Sequence, residues 1–152
     1  MRMDKTFLVL DQYRSSQEYN DFTGKLYHFP KKYLNFFQVE EIEFVYYEPK
    51  RSGKGVYFGY GKIKKLPTED KREKDFYYVE IAEYKPFKNE VPFENENTPR
   101  EGAPYYNPQN AVRRIEKQTL DEISLDGGIT MTFRADAHLL RVLVYQQYNY
   151  AT

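Results

Sequence analysis

Side chains able to act as a base, a nucleophile or a soft metal ligand are scarce in this sequence. There is no cysteine, which excludes thiolate nucleophiles, zinc ribbons, Fe–S clusters and disulfides together. His28 and His138 are the only imidazoles, and they lie far apart along the chain. A metal site would therefore draw most of its ligands from carboxylates, and no spacing gathers carboxylates around either histidine. No metal and no cofactor is expected. One catalytic pattern remains. Glu83-Tyr84-Lys85 has the E-x-K form of metal-dependent nucleases, with Glu83 and Lys85 on one strand face and Asp70 or Asp75 upstream as a partner carboxylate. Such a set can hold Mg²⁺ and activate water. Three-residue patterns of this kind also arise by chance where 30% of residues are charged, and Pro86 interrupts the strand that would carry it.

What the chain has in quantity is aromatic surface: 16 Tyr and 11 Phe, with no Trp. A tyrosine joins an apolar ring to a polar tip, which suits strand faces, protein-binding surfaces and base-stacking platforms alike. Charge is balanced overall, 23 basic against 23 acidic residues, but unevenly placed. From Lys50 to Lys74 there are nine basic residues and three acidic ones. Lys50, Arg51, Lys54, Lys62, Lys64 and Lys65 would make a phosphate-binding surface if they share a face, and a solvated charge run if they do not.

The elements that must position these residues can be read from periodicity. Thr6 to Leu10 is β-branched and aromatic enough for a buried strand, and Asp11 to Gly24 reads as a loop. Leu26 to Pro30 leads into a short helix carrying Tyr33, Leu34, Phe36 and Phe37, with Pro30 at its first position. Glu41 to Tyr47 alternates at its start and becomes wholly apolar, a strand entering a core. Gly55 to Ile63 is the next strand. Gly59 and Gly61 share a parity, so one face is bare and something approaches closely there. The segment Leu66 to Lys74 is charged and without pattern. Asp75 to Tyr84 reads as one long strand, and Val91-Pro92-Phe93 as an edge segment. Asn95 to Asn110 is a long Asn-, Pro- and Gly-rich loop of the kind that binds something. Ala111 to Ile115 is a short strand, Thr119 and Glu122 form a capping box, Ile129 to Phe133 is one more strand, and Leu139, Leu140, Leu143 and Val144 fall at helical spacing. The sum is an α+β domain: a small, mainly antiparallel, barrel-like sheet of about six strands with two or three short helices.

A length of 152 residues allows a single domain over 1–152, with an N-terminal strand and loop in 1–24 and a C-terminal helix in 134–150. Hydrophobic residues at 40% exclude a disordered chain. No apolar run approaches a membrane span, and the first residues do not form a signal peptide, so a cytoplasmic protein is expected with no membrane partner.

The order of these segments resembles the PUA-like superfamily, specifically its EVE and YTH group, over Tyr27 to Ile123. More closely, Tyr27-His28-Phe29-Pro30-Lys31-Lys32-Tyr33, Tyr57-Phe58-Gly59-Tyr60-Gly61 and Asn110-Ala111-Val112-Arg113 resemble the amino-terminal modules of modification-dependent HNH restriction endonucleases. The resemblance implies a specificity module that binds double-stranded DNA, flips out a modified base and holds it in an aromatic pocket. The base would be methylated or hydroxymethylated cytosine, with methylated adenine as second choice. Unstacking a base costs a few kcal/mol, and aromatic stacking returns about 1–3 kcal/mol per contact.

On this resemblance the pocket would draw on Tyr27, His28, Phe29, Tyr33, Tyr46, Tyr47 and Tyr57, with Asn110 and Arg113 as hydrogen-bonding groups. The backbone would meet Lys31, Lys50, Arg51, Lys54, Lys62, Lys64 and Lys65. The same aromatic residues would serve equally as core and rim packing. Two departures stand out. Tryptophan, common in EVE and YTH pockets, is absent, and no HNH motif occurs, so this chain would bind while a nuclease domain elsewhere cleaves. The E-x-K nuclease and a tyrosine-rich protein-interaction domain are the alternatives.

Overall fold

The structure, a computed structural model, describes residues 5–14, 22–50, 54–102 and 109–129. Arg51, the expected strand beyond residue 129 and the expected helix in 134–150 lie outside the described residues. A five-stranded sheet forms the centre. It is built from β1 (Lys5–Asp11), β3 (Glu41–Glu48), β4 (Val56–Ile63), β7 (Glu83–Pro92) and β10 (Val112–Arg114), in the order β10-β1-β3-β4-β7. A second sheet holds β2 (Leu26–Pro30), β5 (Thr68–Glu69) and β6 (Phe76–Glu80), in the order β2-β6-β5. Every pairing is antiparallel except β1 with β3, which run parallel from Lys5↔Glu41 to Asp11↔Tyr47. The α+β class thus holds, but among the described residues the two sheets are open and share no strand pairing, so no closed barrel is found.

Alternation along β3 explains why it sits at the middle. Phe44 and Tyr46 point into one core with Leu8, Leu10, Phe29 and Phe37, between the two sheets. Val45 and Tyr47 point into the other, with Val9, Leu120 and Ile123 of α1 (Lys117–Asp126). A strand buried on both faces reads as a continuous apolar run, which is what Phe44 to Tyr47 is. Each such side chain contributes roughly 1.5–3 kcal/mol by leaving water.

The bare face of β4 has a structural cause. Tyr46 pairs with Gly59 and Tyr47 with Tyr57, so Phe58 is the extra residue of a β-bulge. The ring of Tyr84 lies over Gly59, 2.6 Å from where a Cβ would stand, and that of Phe44 over Gly61 at 2.4 Å.

Four local expectations need correction. Asp75 to Tyr84 is not one strand: the chain leaves β6 after Glu80 and enters β7, in the other sheet, at Glu83. Leu26 to Pro30 is itself a strand, and Pro30, with φ −73° and ψ 156°, caps a 3₁₀ helix (Lys31–Phe37) and lies just outside it. The 95–110 loop begins inside a hairpin of β8 (Glu94–Asn95) and β9 (Thr98–Pro99), with Glu96 and Asn97 at positive φ as a tight two-residue turn requires. Finally, α1 starts at Lys117 with Glu116 as its cap, so Thr119 lies within the first turn. The Ile115 N–H still bonds to the Phe7 carbonyl, leaving Glu116 alone to turn the chain before Leu120 must reach the core. No helix among the described residues is long and apolar enough to cross a membrane.

Candidate functional site

Strand β2 separates the residues that the sequence placed in one pocket. Its side chains alternate, so Tyr27 and Phe29 face the core and are almost wholly buried, while His28 faces outward with its side chain 22% exposed. Tyr33, on the 3₁₀ helix, is buried and its hydroxyl accepts the Ala111 N–H at 2.9 Å. Tyr46 stacks on Phe58 at 5.2 Å and accepts the Gly24 N–H at 3.1 Å. Tyr47, on the opposite face of the sheet, accepts the Gly55 N–H at 2.7 Å. Burial raises the phenol pKa of Tyr27, Tyr46 and Tyr57 above its ordinary value, which keeps these groups neutral. In this conformation they are packing residues that tie loops to the sheet.

Arg113 and Tyr57 meet in a buried polar network. The Arg113 guanidinium donates to Glu101 through Nε at 2.6 Å and Nη2 at 3.0 Å, and through Nη1 to Asp11 Oδ1 at 2.9 Å and the Asn110 carbonyl at 2.6 Å. Tyr57 donates its hydroxyl to Glu101 at 2.7 Å. The Arg113 and Glu101 side chains are 2% and 0% exposed. Burial pushes the Asp11 carboxyl up to about 6, against the pull of Arg113. Four of the five N–H donors of Arg113 are thus spent within the fold, where a fork of donors closes over a bidentate carboxylate.

An open groove of about 900 Å³ lies on the outer face of the second sheet, lined by Phe22, Leu26, His28, Tyr78 and the segment Thr68 to Glu73. Its geometry follows from register. His28 pairs with Tyr78, which puts the outward faces of β2 and β6 together, and the His28 ring stacks on Phe76 at 4.9 Å. The Asp70 N–H bonds to the Phe76 carbonyl at 2.9 Å, which lays the charged segment along the edge of β6. Asp70 Oδ2 then sits 2.9 Å from His28 Nε2, and Glu73 Oε2 lies 3.7 Å from the same nitrogen. Asp70 Oδ1 accepts the Arg72 N–H at 2.8 Å, and that bond is the chief cause holding the Asp70 carboxyl below its ordinary value. The groove combines aromatic walls, an imidazole–carboxylate pair and two flanking cations, Lys71 and Arg72.

Four of the expected backbone-binding lysines carry ion pairs at the surface. Lys54 pairs with Glu94, Lys62 and Lys64 with Glu83 at 3.9 and 3.6 Å, and Lys65 with Glu80 at 3.0 Å. Lys31 and Lys50 are exposed. Glu83 of the E-x-K pattern thus faces lysines, and among the described residues it belongs to no group of three metal-ligating side chains. Phe22, Tyr78, Lys71, Arg72 and Glu73 were missed as site residues. The one available signal was the alternation Phe76, Tyr78, Glu80 against Tyr77, Val79, which leaves Tyr78 facing outward beside whatever pairs with β6.

No family model matches the chain, and no curated protein does. Among solved structures it is similar to the NMR structure of Rpa0253 from Rhodopseudomonas palustris, with a TM-score of 0.55 and 13% identity over 86% of this chain and 98% of that one. It is more loosely similar to the N-terminal domain of Staphylothermus marinus McrB, with a TM-score of 0.42 and 13% identity over 61% of this chain and 82% of that one. The first likeness shows a shared fold and nothing of chemistry. The second is too distant to show even that.

Proposed function

We propose that this domain is a DNA-binding specificity module that takes an unstacked, modified base into the groove beside His28. The observation that carries this reading is the groove itself: aromatic walls and a few convergent polar groups in a volume of about 900 Å³, within the range of small-ligand sites. Tyr78 or Phe22 would stack on the base. Asp70 would accept from an exocyclic amino group, as carboxylates do from the N4 of cytosine. Lys71 and Arg72 would meet the flanking phosphates. Stacking selects a π-face, so discrimination of a methyl or hydroxymethyl group falls to the shape of the groove and to its polar rim.

On this reading the chain works in the cytoplasm, by binding, within a modification-dependent restriction system, and an HNH nuclease domain supplies cleavage. The pocket moves from the buried tyrosines to the outer face of β2 and β6. For the nuclease alternative, Glu83 belongs to no group of three metal-ligating side chains among the described residues. The interaction-domain alternative meets a surface on which, among the described residues, only Tyr13 and Leu66 are large and well exposed.

The test is binding to paired duplexes identical except for the modification. Tyr78→Ala is expected to weaken the modified duplex by about 1–3 kcal/mol and to leave the unmodified one nearly unchanged. Arg72→Glu should weaken both. Equal affinity for every pair would sink the modified-base reading, and affinity indifferent to salt would sink DNA binding altogether.

A further inference from the structure

His28, Asp70 and Glu73 converge although His28 and Asp70 stand 42 positions apart in sequence, which is why no ligand spacing betrays them. Their three ligand atoms lie within 4.8 Å of one another. Two ligand atoms bound to Zn²⁺ at about 2.1 Å stand about 3.4 Å apart in a tetrahedral site and about 3.0 Å apart as neighbours in an octahedral one. The separations from His28 Nε2, 2.9 Å to Asp70 and 3.7 Å to Glu73, bracket those values.

Two of the three groups are already held. The His28 ring is clamped against Phe76, with 17° between the planes. Asp70 has one oxygen fixed by the Arg72 N–H, which turns the other toward His28. Only Glu73, its side chain 54% exposed, must swing to close the set. Outer hydrogen bonds and stacking that aim a ligand are characteristic of metal sites.

We propose that His28, Asp70 and Glu73 form a binding site for a divalent transition-metal ion, with its remaining coordination positions open to the groove. One imidazole and two carboxylates without a thiolate suit Zn²⁺, Mn²⁺ or Co²⁺, and the imidazole disfavours Mg²⁺ and Ca²⁺. The ion would face Tyr78 and the cations at 71 and 72, where an oxygen donor of a ligand entering the groove completes its shell. The inference goes beyond the DNA reading and does not need it, because its assay reads the ion on the free chain.

The experiment is calorimetric titration of the full chain with ZnCl₂ at neutral pH, with MgCl₂ in parallel. Saturable binding of Zn²⁺ at one equivalent is expected, with no comparable heat from Mg²⁺. Loss of an outer-shell partner costs roughly 10–100-fold in metal affinity, so loss of a ligand in Glu73→Gln, Asp70→Asn or His28→Gln should cost at least tenfold. His138→Gln, which removes the only other imidazole, should change nothing. Metal-free melts check that each variant folds, and Glu73→Gln alters an exposed carboxylate that the core does not need. On the unaltered protein, the His28 ring nitrogen signals should shift on addition of Zn²⁺. No saturable heat, unshifted His28 signals, unchanged affinity in all three ligand variants, or loss of binding in His138→Gln would each overturn the site.

Discussion

Replacing Arg113 by methionine tests whether the arginine belongs to the fold or to a ligand. Four hydrogen bonds end on its guanidinium, three of them charged, and its principal partner Glu101 has no exposed side-chain surface. Methionine fills similar length but leaves Glu101 buried beside Asp11 without a counter-charge. Breaking a buried pair from one side costs about 3–5 kcal/mol, because the remaining charge stays desolvated. For a domain of this size each kcal/mol lowers Tm by roughly 2–4 °C, so a fall of about 6–20 °C is expected. The second arm is Arg113→Met combined with Glu101→Gln, which removes the orphaned charge and keeps an acceptor for Tyr57. The double variant should be more stable than Arg113→Met alone, giving a coupling energy on the order of 2 kcal/mol in a double-mutant cycle. Urea unfolding followed by circular dichroism reads both. A loss below about 1 kcal/mol, or strictly additive single changes, would refute the buried network. An arginine reserved for DNA would instead leave stability intact and lower affinity.

Two further outcomes follow from the same core. Asp11 is pushed up to about 6 from the ordinary 3.8, so the folded state holds its proton more tightly than the unfolded chain does. This group's contribution to stability is therefore complete below about pH 4 and is lost as pH rises through 6, by roughly 3 kcal/mol, and Asp11→Asn should flatten that slope in melts run from pH 4 to 7. Gly61→Ala would place a Cβ 2.4 Å from the Phe44 ring and 2.8 Å from the Glu83 carbonyl, and backbone cannot yield as a side chain can. It should cost about 3 kcal/mol, whereas Gly102→Ala, with open space but φ +66°, should cost only the roughly 1–2 kcal/mol of a left-handed residue.

The strands were legible wherever burial imposes a period. Thr6 to Leu10, Phe44 to Tyr47 and Val112 to Arg114 fall in strands because their side chains meet a core on one face or both. What misled was local chemistry overruled by tertiary demand. Thr119 and Glu122 make a good capping box, but α1 begins earlier because the chain leaves β10 too late to wait for it. Asp75 to Tyr84 reads as one long strand, yet it serves two sheets, and alternation carries no information about which sheet a strand joins. The parallel pairing of β1 with β3 is equally silent in sequence, because the intervening β2 and 3₁₀ helix read as local structure.

The site was less legible than the fold, for a reason visible at His28. A run such as Tyr27-His28-Phe29 announces aromatic character, and its members look like neighbours in one pocket. Once the run is a strand, alternation sends Tyr27 and Phe29 into the core and leaves His28 alone on the other side. Its true neighbours come from the strand paired with it, Phe76 and Tyr78, and from a segment, 68–73, that reads in sequence as charged and gives no sign of lying beside His28. The same holds in reverse for Arg113, whose partners Glu101 and Asp11 lie on a loop and a distant strand. Charged residues therefore changed roles in both directions: Arg113, expected to hydrogen-bond a base, joins a buried network, and Asp70, Lys71, Arg72 and Glu73 line the groove. Composition could not decide between those fates, because the deciding quantity is the register between β2 and β6, which places Tyr78 opposite His28.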